Sequence, residues 1–327
     1  MHPQVADTEV DGDEELSTVP RLTVGLPVYN GEKFLAQSLD ALLGQTYADF
    51  ELLISDNTST DDTAMICARY QAQDPRVRYF RQPRNIGCAP NHNFLVGQAR
   101  GEFFKWASDD DLYACNLLER CVDALDKYPD VVLAHSFTAI IDDAGSVIKT
   151  VKYSLDSAGP SAPQRFRSVL VDPGGDDDGA VIRTEVLRRT ALNGSYYRAD
   201  RTFVAELALH GPFYQVPDWL YFRRDHPDRA ARAFSTVRGW CGNLDPRRAD
   251  RLRNPVLRLY GEYIWGFISA IHRAPLTPAE RYACYRHLVD WAASRAFSEH
   301  GRFATEQNAA DVQGISVDAV VAGQGRI

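Results

Sequence analysis

The sequence predicts an α/β chain: a mostly parallel sheet with helices on both faces, followed by a helical extension at the C-terminal end. Three observations carry that prediction. Short apolar, β-branched runs alternate with helix-spaced segments between residues 22 and 141, and alternation at this spacing implies parallel strands joined through helices. The far ends of the strand runs are polar or acidic, as in open sheets that bind ligands at their carboxyl edge. Beyond residue 235 the alternation stops and two long helix-spaced stretches take over.

Each element has its own cause. Residues 22–29 form an apolar run with β-branched members, hence a strand, punctuated by Asn30-Gly31. Residues 32–43 place Phe34, Leu35, Leu39 and Leu42-Leu43 on one helical face. A second strand over 50–55 runs into hydroxyls and carboxylates at 56–63 that suit a helix start. Residues 77–80, 102–108 and 131–141 read as further strands, and 85–99 and 115–128 as helices. Residues 142–180 are rich in Gly, Asp, Ser and Pro, with Asp176-Asp177-Asp178 in their midst, and read as a connection over the site. A strand at 180–183, helices at 184–192 and 201–210 and a strand at 214–222 follow, and then helices over 254–271 and 278–297.

Composition narrows the function. A net charge of -8 argues against a nucleic-acid backbone as partner. Six scattered cysteines without a Cys-x-x-Cys pair favour reduced, packed thiols in a cytoplasmic protein over a disulfide framework or a zinc site. The acidic N-terminal stretch lacks the apolar core of a signal peptide. The longest apolar run, 263–271, falls far short of the ~20 residues that cross a bilayer. No Gly-x-Gly-x-x-Gly follows the first strand and no Gly-x-x-x-x-Gly-Lys-Ser/Thr occurs, which disfavours a dinucleotide dehydrogenase and a P-loop NTPase.

The chemistry concentrates at Ser108-Asp109-Asp110-Asp111, where an apolar strand runs into three carboxylates. Three adjacent acids cannot all be buried ionised without a counter-charge. A hard divalent cation shared with a bound diphosphate would supply it; an acidic turn opening the next helix is the plainer alternative.

Taken in order, Thr23-Val-Gly-Leu-Pro-Val-Tyr-Asn30, Asp56-Asn57-x-Ser59-x-Asp61, Arg84-Asn85-x-Gly87 and Ser108-Asp109-Asp110-Asp111 resemble the family 2 glycosyltransferases of GT-A (Rossmann-like) fold. The likeness covers roughly residues 21–235. It implies an inverting transferase that moves a sugar from a nucleoside-diphosphate sugar to an acceptor hydroxyl with Mg²⁺ or Mn²⁺. Carried over by position, Pro27, Tyr29 and Asp56 would contact the base, and Asp109 the ribose. Asn30, Glu32, Asn57 and Arg84 complete the expected nucleotide site. Asp110 would be the principal metal ligand, supported by Asp111. Asp200 would be the general base, with Glu206 as fallback, although helix capping explains Asp200 as well. Arg223 and Arg224 would close on the diphosphate, and His226 would complete the metal shell or neutralise the departing group. Ser108 stands where the family often has an aspartate.

Acidic composition marks 1–20 as a disordered segment, and the resemblance covers a GT-A domain 21–235. Within that domain, 21–141 is the nucleotide-binding half and 142–235 the acceptor half. A helical extension 236–302 and a flexible tail 303–327 complete the chain. UDP or TDP donors are favoured over GDP by frequency, in polysaccharide, glycolipid or natural-product glycosylation. A nucleotidyltransferase of related fold and a non-catalytic nucleotide-sugar module are the alternatives. The C-terminal helices are expected to pack on the domain or to form a homodimer. A lipid-surface role for Tyr260, Trp265 and Phe267, at the inner face of the plasma membrane, is the weaker reading because the stretch lacks a dense Lys/Arg face.

Overall fold

The computed structural model describes residues 19–152, 159–171, 179–296, 306–308 and 317–323. The expected disorder of residues 1–18 and the acidic loop Asp176-Asp177-Asp178 lie outside the described residues. In the first half β1 (Leu22–Val28), α1 (Leu35–Leu43), β2 (Phe50–Asp56), α2 (Thr63–Gln73), β3 (Val77–Arg81), α3 (Cys88–Gln98) and β4 (Phe103–Trp106) alternate. The short β5 (Leu112–Tyr113), α4 (Leu117–Lys127), β6 (Leu133–Ile141), β7 (Val147–Val151) and α5 (Ala162–Val171) follow. Next come β8 (Val181–Arg183), α6 (Thr184–Leu187), α7 (Ala199–His210) and β9 (Phe213–Arg224). The chain then turns helical through α8 (Ala230–Ala233), α9 (Val237–Leu244), a 3₁₀ turn Pro246–Ala249, α10 (Val256–Arg273) and α11 (Pro278–Ala296). β10 (Glu306–Asn308) and α12 (Val317–Val321) come last.

One sheet of order β10-β7-β6-β8-β4-β1-β2-β3 runs through the molecule, with β9 pairing both β5 and β6. The expectation of a mostly parallel sheet holds for the first half, where Leu22 sits opposite both Phe50 and Phe103 in parallel register. Beyond β4 the sheet is mixed: β8 enters antiparallel to both β4 and β6, while β6 and β9 pair in parallel. A single strand inserted that way reverses direction without a crossover helix.

The pleat alternates side chains between two cores. Leu22, Val24, Leu26 and Val28 of β1 pack with α1, α2 and α4 on one face, while Phe104 and Trp106 of β4 pack on the other with Phe203 of α7. That second core contains Phe267, Ile271, Cys284 and Trp291 as well, so α10 and α11 complete the sheet's cover. The buried Glu206 of α7 binds Arg273 of α10 through two contacts of 2.8 and 3.0 Å. At the amino end of the sheet the sealed carboxylate of Glu51 accepts from Thr23 Oγ1 (2.9 Å), Arg78 Nη1 (3.0 Å) and Arg100 Nε (2.9 Å). Burial would raise its pKa, but these donors outweigh burial and lower it.

Three stretches depart from expectation. The connection 142–180 contains β7 and α5, whose Phe166, Val169 and Leu170 are buried; Pro163, Gln164 and the arginines at 165 and 167 obscure the helical period. The 303–327 stretch is not loose throughout. β10 pairs antiparallel with β7, and Val317 and Val320 of α12 join the α1-side core. The six cysteines are all unpaired, as their spacing implied.

Candidate functional site

The carboxyl ends of β1, β2 and β4 open into a cleft of about 1370 Å³. At the end of β4 the aspartates part ways. Asp109 lies partly open to the cleft, its carboxylate against Gly31, where a Cβ would come within 2.2 Å of Oδ2. The Asn30-Gly31 turn is thus shaped to admit Asp109. Asp110 accepts from Ser108 Oγ at 2.5 Å and meets His226 Nε2 at 2.9 Å and Arg229 Nη1 at 3.8 Å. Asp111 points away from the cleft. It is fully buried and accepts from Tyr221 Oη at 2.5 Å and from the Arg224 backbone N at 2.8 Å. It fastens β9 to the acidic turn, so the expected supporting metal ligand is instead a strut.

Charge follows geometry. Burial and the neighbouring Asp110 raise the pKa of Asp109, tempered by its contact with cleft solvent. Burial and Asp110 push sealed Asp111 up to about 7. Burial would raise Asp110 too, yet Arg229, Ser108 and His226 outweigh it and keep this carboxylate ionised. Oxygen donors with one imidazole suit a hard divalent cation. Among the described residues no group of three or more His, Cys, Asp or Glu forms a metal cage. A cation held by Asp110 and His226 would need further ligands from outside these residues. Nδ1 of His226 is buried without a hydrogen-bond partner, and the ring packs edge-on against Phe34 at 5.1 Å.

The nucleotide side is only partly as expected. Pro27, Asn30, Asn57 and the half-exposed ring of Tyr29 line the cleft. Asn30, at φ 55°, accepts from Thr60 N at 2.9 Å, which ties the β1 and β2 loops together. Asn57 holds Asn85 and Ile86 at 3.1 and 2.8 Å. Glu32 (bound to Asp62 N at 3.0 Å) and the exposed Arg84 stand outside the cleft lining. Asp56 is sealed, accepting from Ser59 N at 2.7 Å and from Tyr79 Oη at 2.9 Å. It shapes the turn after β2, and its oxygens are turned away from the cleft.

Arg223 lines the cleft. Arg224 is buried and spends its guanidinium on the carbonyls of Asp110, Asp142 and Asp143 and on Gln37 Oε1, at 2.8 to 3.1 Å. It too lines the cleft, with its guanidinium engaged as a brace between the acidic turn and the loop after β6. Arg229, passed over in the sequence, reaches Asp111 at 3.3 Å and lines the cleft. Its place five residues beyond Arg224 was the available signal.

Across the cleft stands Asp200, in the first turn of α7 and not ahead of it. Its side chain is open to cleft solvent, while protein crowding at longer range raises its pKa; the solvent contact limits that shift. Glu206, the fallback base, is locked to Arg273 and faces away from this lining. Arg238 and Trp240 of α9 form an unforeseen wall. Gly87, at φ 94°, lets this wall close on α3, since a Cβ there would come within 2.5 Å of the Leu244 carbonyl. Thr236, which caps α9 by accepting from Gly239 N at 3.0 Å, was the signal for that helix.

The profile of Glycosyl transferase family 2 matches residues 23–190, just over half of the chain. The chain belongs to this family. Among similar proteins, an uncharacterized glycosyltransferase of Rickettsia felis is 31% identical over 137 residues, 41% of this chain and 22% of that protein. Chondroitin synthase of Escherichia coli is 32% identical over 133 residues, 41% of this chain and 19% of that one. The GalNAc(5)-diNAcBac-PP-undecaprenol beta-1,3-glucosyltransferase of Campylobacter jejuni is 26% identical, over 60% of this chain and 62% of its own. In each case the chain spans less than two thirds of the relative. In fold, this family 2 glycosyltransferase is similar to S. aureus TarS 1-349, solved with UDP-GlcNAc. The TM-score is 0.51 at 16% identity, over 86% of this chain and 93% of that one. The GT-A sheet expected from the motifs is thus present.

Proposed function

We propose that the chain is a metal-dependent inverting glycosyltransferase that moves a sugar from a nucleoside-diphosphate sugar to a glycan hydroxyl. One observation carries the reading: Asp109 and Asp110 at the end of β4 and Asp200 at the start of α7 line the same cleft. Tyr29, Pro27 and Asn57 would bind the base and Asp109 the ribose. Asp110 and His226 would hold Mg²⁺ or Mn²⁺, which when bound neutralises charge on the diphosphate. Arg229 and Arg223 add positive charge to the same wall. Asp200 takes the proton of the acceptor hydroxyl as its oxygen bonds to the anomeric carbon. The bond to the nucleoside diphosphate breaks, and its electron pair leaves with the diphosphate. Relatives named for chondroitin and for an undecaprenol-linked glycan support a saccharide as acceptor class.

Incubation with a panel of nucleotide sugars, UDP and TDP sugars first, tests the reading. Slow release of nucleoside diphosphate marks a transferase; pyrophosphate released in a parallel incubation with a nucleoside triphosphate and a sugar phosphate marks a nucleotidyltransferase; neither product leaves a binding module. Asp200→Asn should lower turnover ~10²–10⁴-fold and leave donor binding nearly intact. Comparable turnover in that variant would remove Asp200 from the mechanism.

A further inference from the structure

α10 is apolar on two sides. Leu259, Tyr263, Phe267 and Ala270 face the core, yet Leu257 is 85% exposed and Trp265 65%, with Tyr260 and Ile264 exposed beside them. Spacings of three, four and seven residues put Leu257, Tyr260 and Ile264 on one outward face, with Trp265 at its margin. Just ahead of the helix Leu252 is 94% exposed, between the exposed Arg251 and Arg253. Isolated exposed apolar residues are ordinary, but a contiguous set marks an interaction surface.

Charge identifies the partner. Arg247, Arg248, Arg251, Arg253 and Arg258 crowd this stretch, against Asp245, Asp250 and Glu262, in a chain of net charge -8. Asp245 pairs with Arg247 at 2.7 Å, Asp250 with Arg253 at 3.6 Å, and Glu262 is shared by Arg248 and Arg258 at 2.8 and 3.0 Å, so five arginines against three acids leave the stretch net positive. Four of these arginines precede the helix, which hides the basic character from its periodic face, and Phe267, expected on this surface, is buried. A second copy seated on this face would bring like charges together. An anionic lipid surface fits both parts, with arginines at the headgroups and Leu252, Leu257 and Trp265 at the acyl boundary.

We infer that the outer face of α10 and the turn before it form a docking surface for an anionic lipid bilayer. The ring of Tyr260 meets that of Tyr197 at 5.5 Å, three residues before Asp200. The docked face therefore adjoins the Asp200 side of the cleft, and the inference holds whatever reaction the cleft performs.

Flotation of the full chain with vesicles of phosphatidylcholine, with and without phosphatidylglycerol, tests it. The chain should float with the anionic vesicles, far less with the neutral ones, and be released by high salt. Each arginine near an anionic surface is worth about fivefold in partition. Arg251→Glu with Arg253→Glu should thus weaken flotation by at least about tenfold, and Leu252→Ser with Leu257→Ser should weaken it on either vesicle. These side chains are exposed, so unchanged melting temperatures would show both variants folded. No flotation, equal partition onto both vesicle types, or no effect of either variant pair overturns the inference. So does a dimer in sedimentation that Leu257→Asp dissolves.

Discussion

Nε2 of His226 lies 2.9 Å from Oδ2 of Asp110, joining the turn after β9 to the end of β4 across 116 residues of chain. Asp110 is the one carboxylate of its triplet kept ionised by basic neighbours, and an imidazole beside it would complete a two-donor hold on the proposed cation.

Metal and nucleotide should therefore strengthen each other's binding. Calorimetric titration of UDP should show affinity rising with Mn²⁺ by a factor in the range of about 5–150, the usual span of such coupling. Asp110→Ala should abolish that gain and His226→Ala reduce it. Equal UDP affinity with and without Mn²⁺ in the wild type would leave Asp109 to Asp111 as an acidic turn alone.

Asp111 should behave differently from its neighbour. Asp111→Ala strips the acceptor from Tyr221 Oη and from the Arg224 backbone N. Each buried donor left unsatisfied costs about 1–3 kcal/mol. A marked fall in melting temperature is expected, with the Mn²⁺ effect on UDP binding surviving wherever the variant stays folded. A variant that melts like wild type yet loses the metal effect would return Asp111 to the metal.

The base should announce itself in the pH profile. Asp200 must be ionised to take a proton, and crowding raises its pKa. Turnover should rise with pH along a limb whose midpoint lies above the ~3.9 of a free aspartate. A raised carboxyl pKa means that the fold disfavours the charge, so stability from this group is lost as pH rises through the folded value. Asp200→Asn should accordingly melt no lower than wild type at neutral pH. A lower melting temperature would show the carboxylate to be a helix cap first.

Glu206 and Arg273 offer the contrasting case. Glu206 is sealed while Arg273 is partly exposed. Arg273→Ala leaves a buried carboxylate unpaired and should cost the most, up to about 3–5 kcal/mol. Glu206→Gln removes that charge and should cost less, with turnover retained. Chemical denaturation ranks the two variants; loss of turnover in a folded Glu206→Gln would reopen its candidacy as base.

The first half of the fold was legible because each strand and helix of β1 to β4 draws its pattern from its own residues. Pro27, Tyr29, Asn57, Asp109, Asp110 and Asp200 were placed in the cleft lining for a related reason: strand ends and helix starts are marked locally. Asp56 and Asp111 carry the same chemical signs but stand outside the cleft lining, and Arg224 lines the cleft with its guanidinium already engaged. The groups that take them, Tyr79, Tyr221 and the carbonyls of Asp142 and Asp143, arrive from elsewhere in the chain. A sequence shows what a side chain can do; long-range pairing decides which way it faces. The α9 wall was missed because its meaning lies in contact with Gly87, far earlier in the chain.

Glu51 and Asp200 carry pKa shifts of opposite sign. Glu51, at the rim remote from the cleft, has a lowered pKa. Its contribution to folding is complete above the unfolded value near 4.3 and fades only as pH falls through a still lower one. Asp200 is neutralised at higher pH than that. If Asp200 is the base, acid that protonates it should lower turnover while the floor of the sheet keeps its grip, and activity should return when the sample is neutralised.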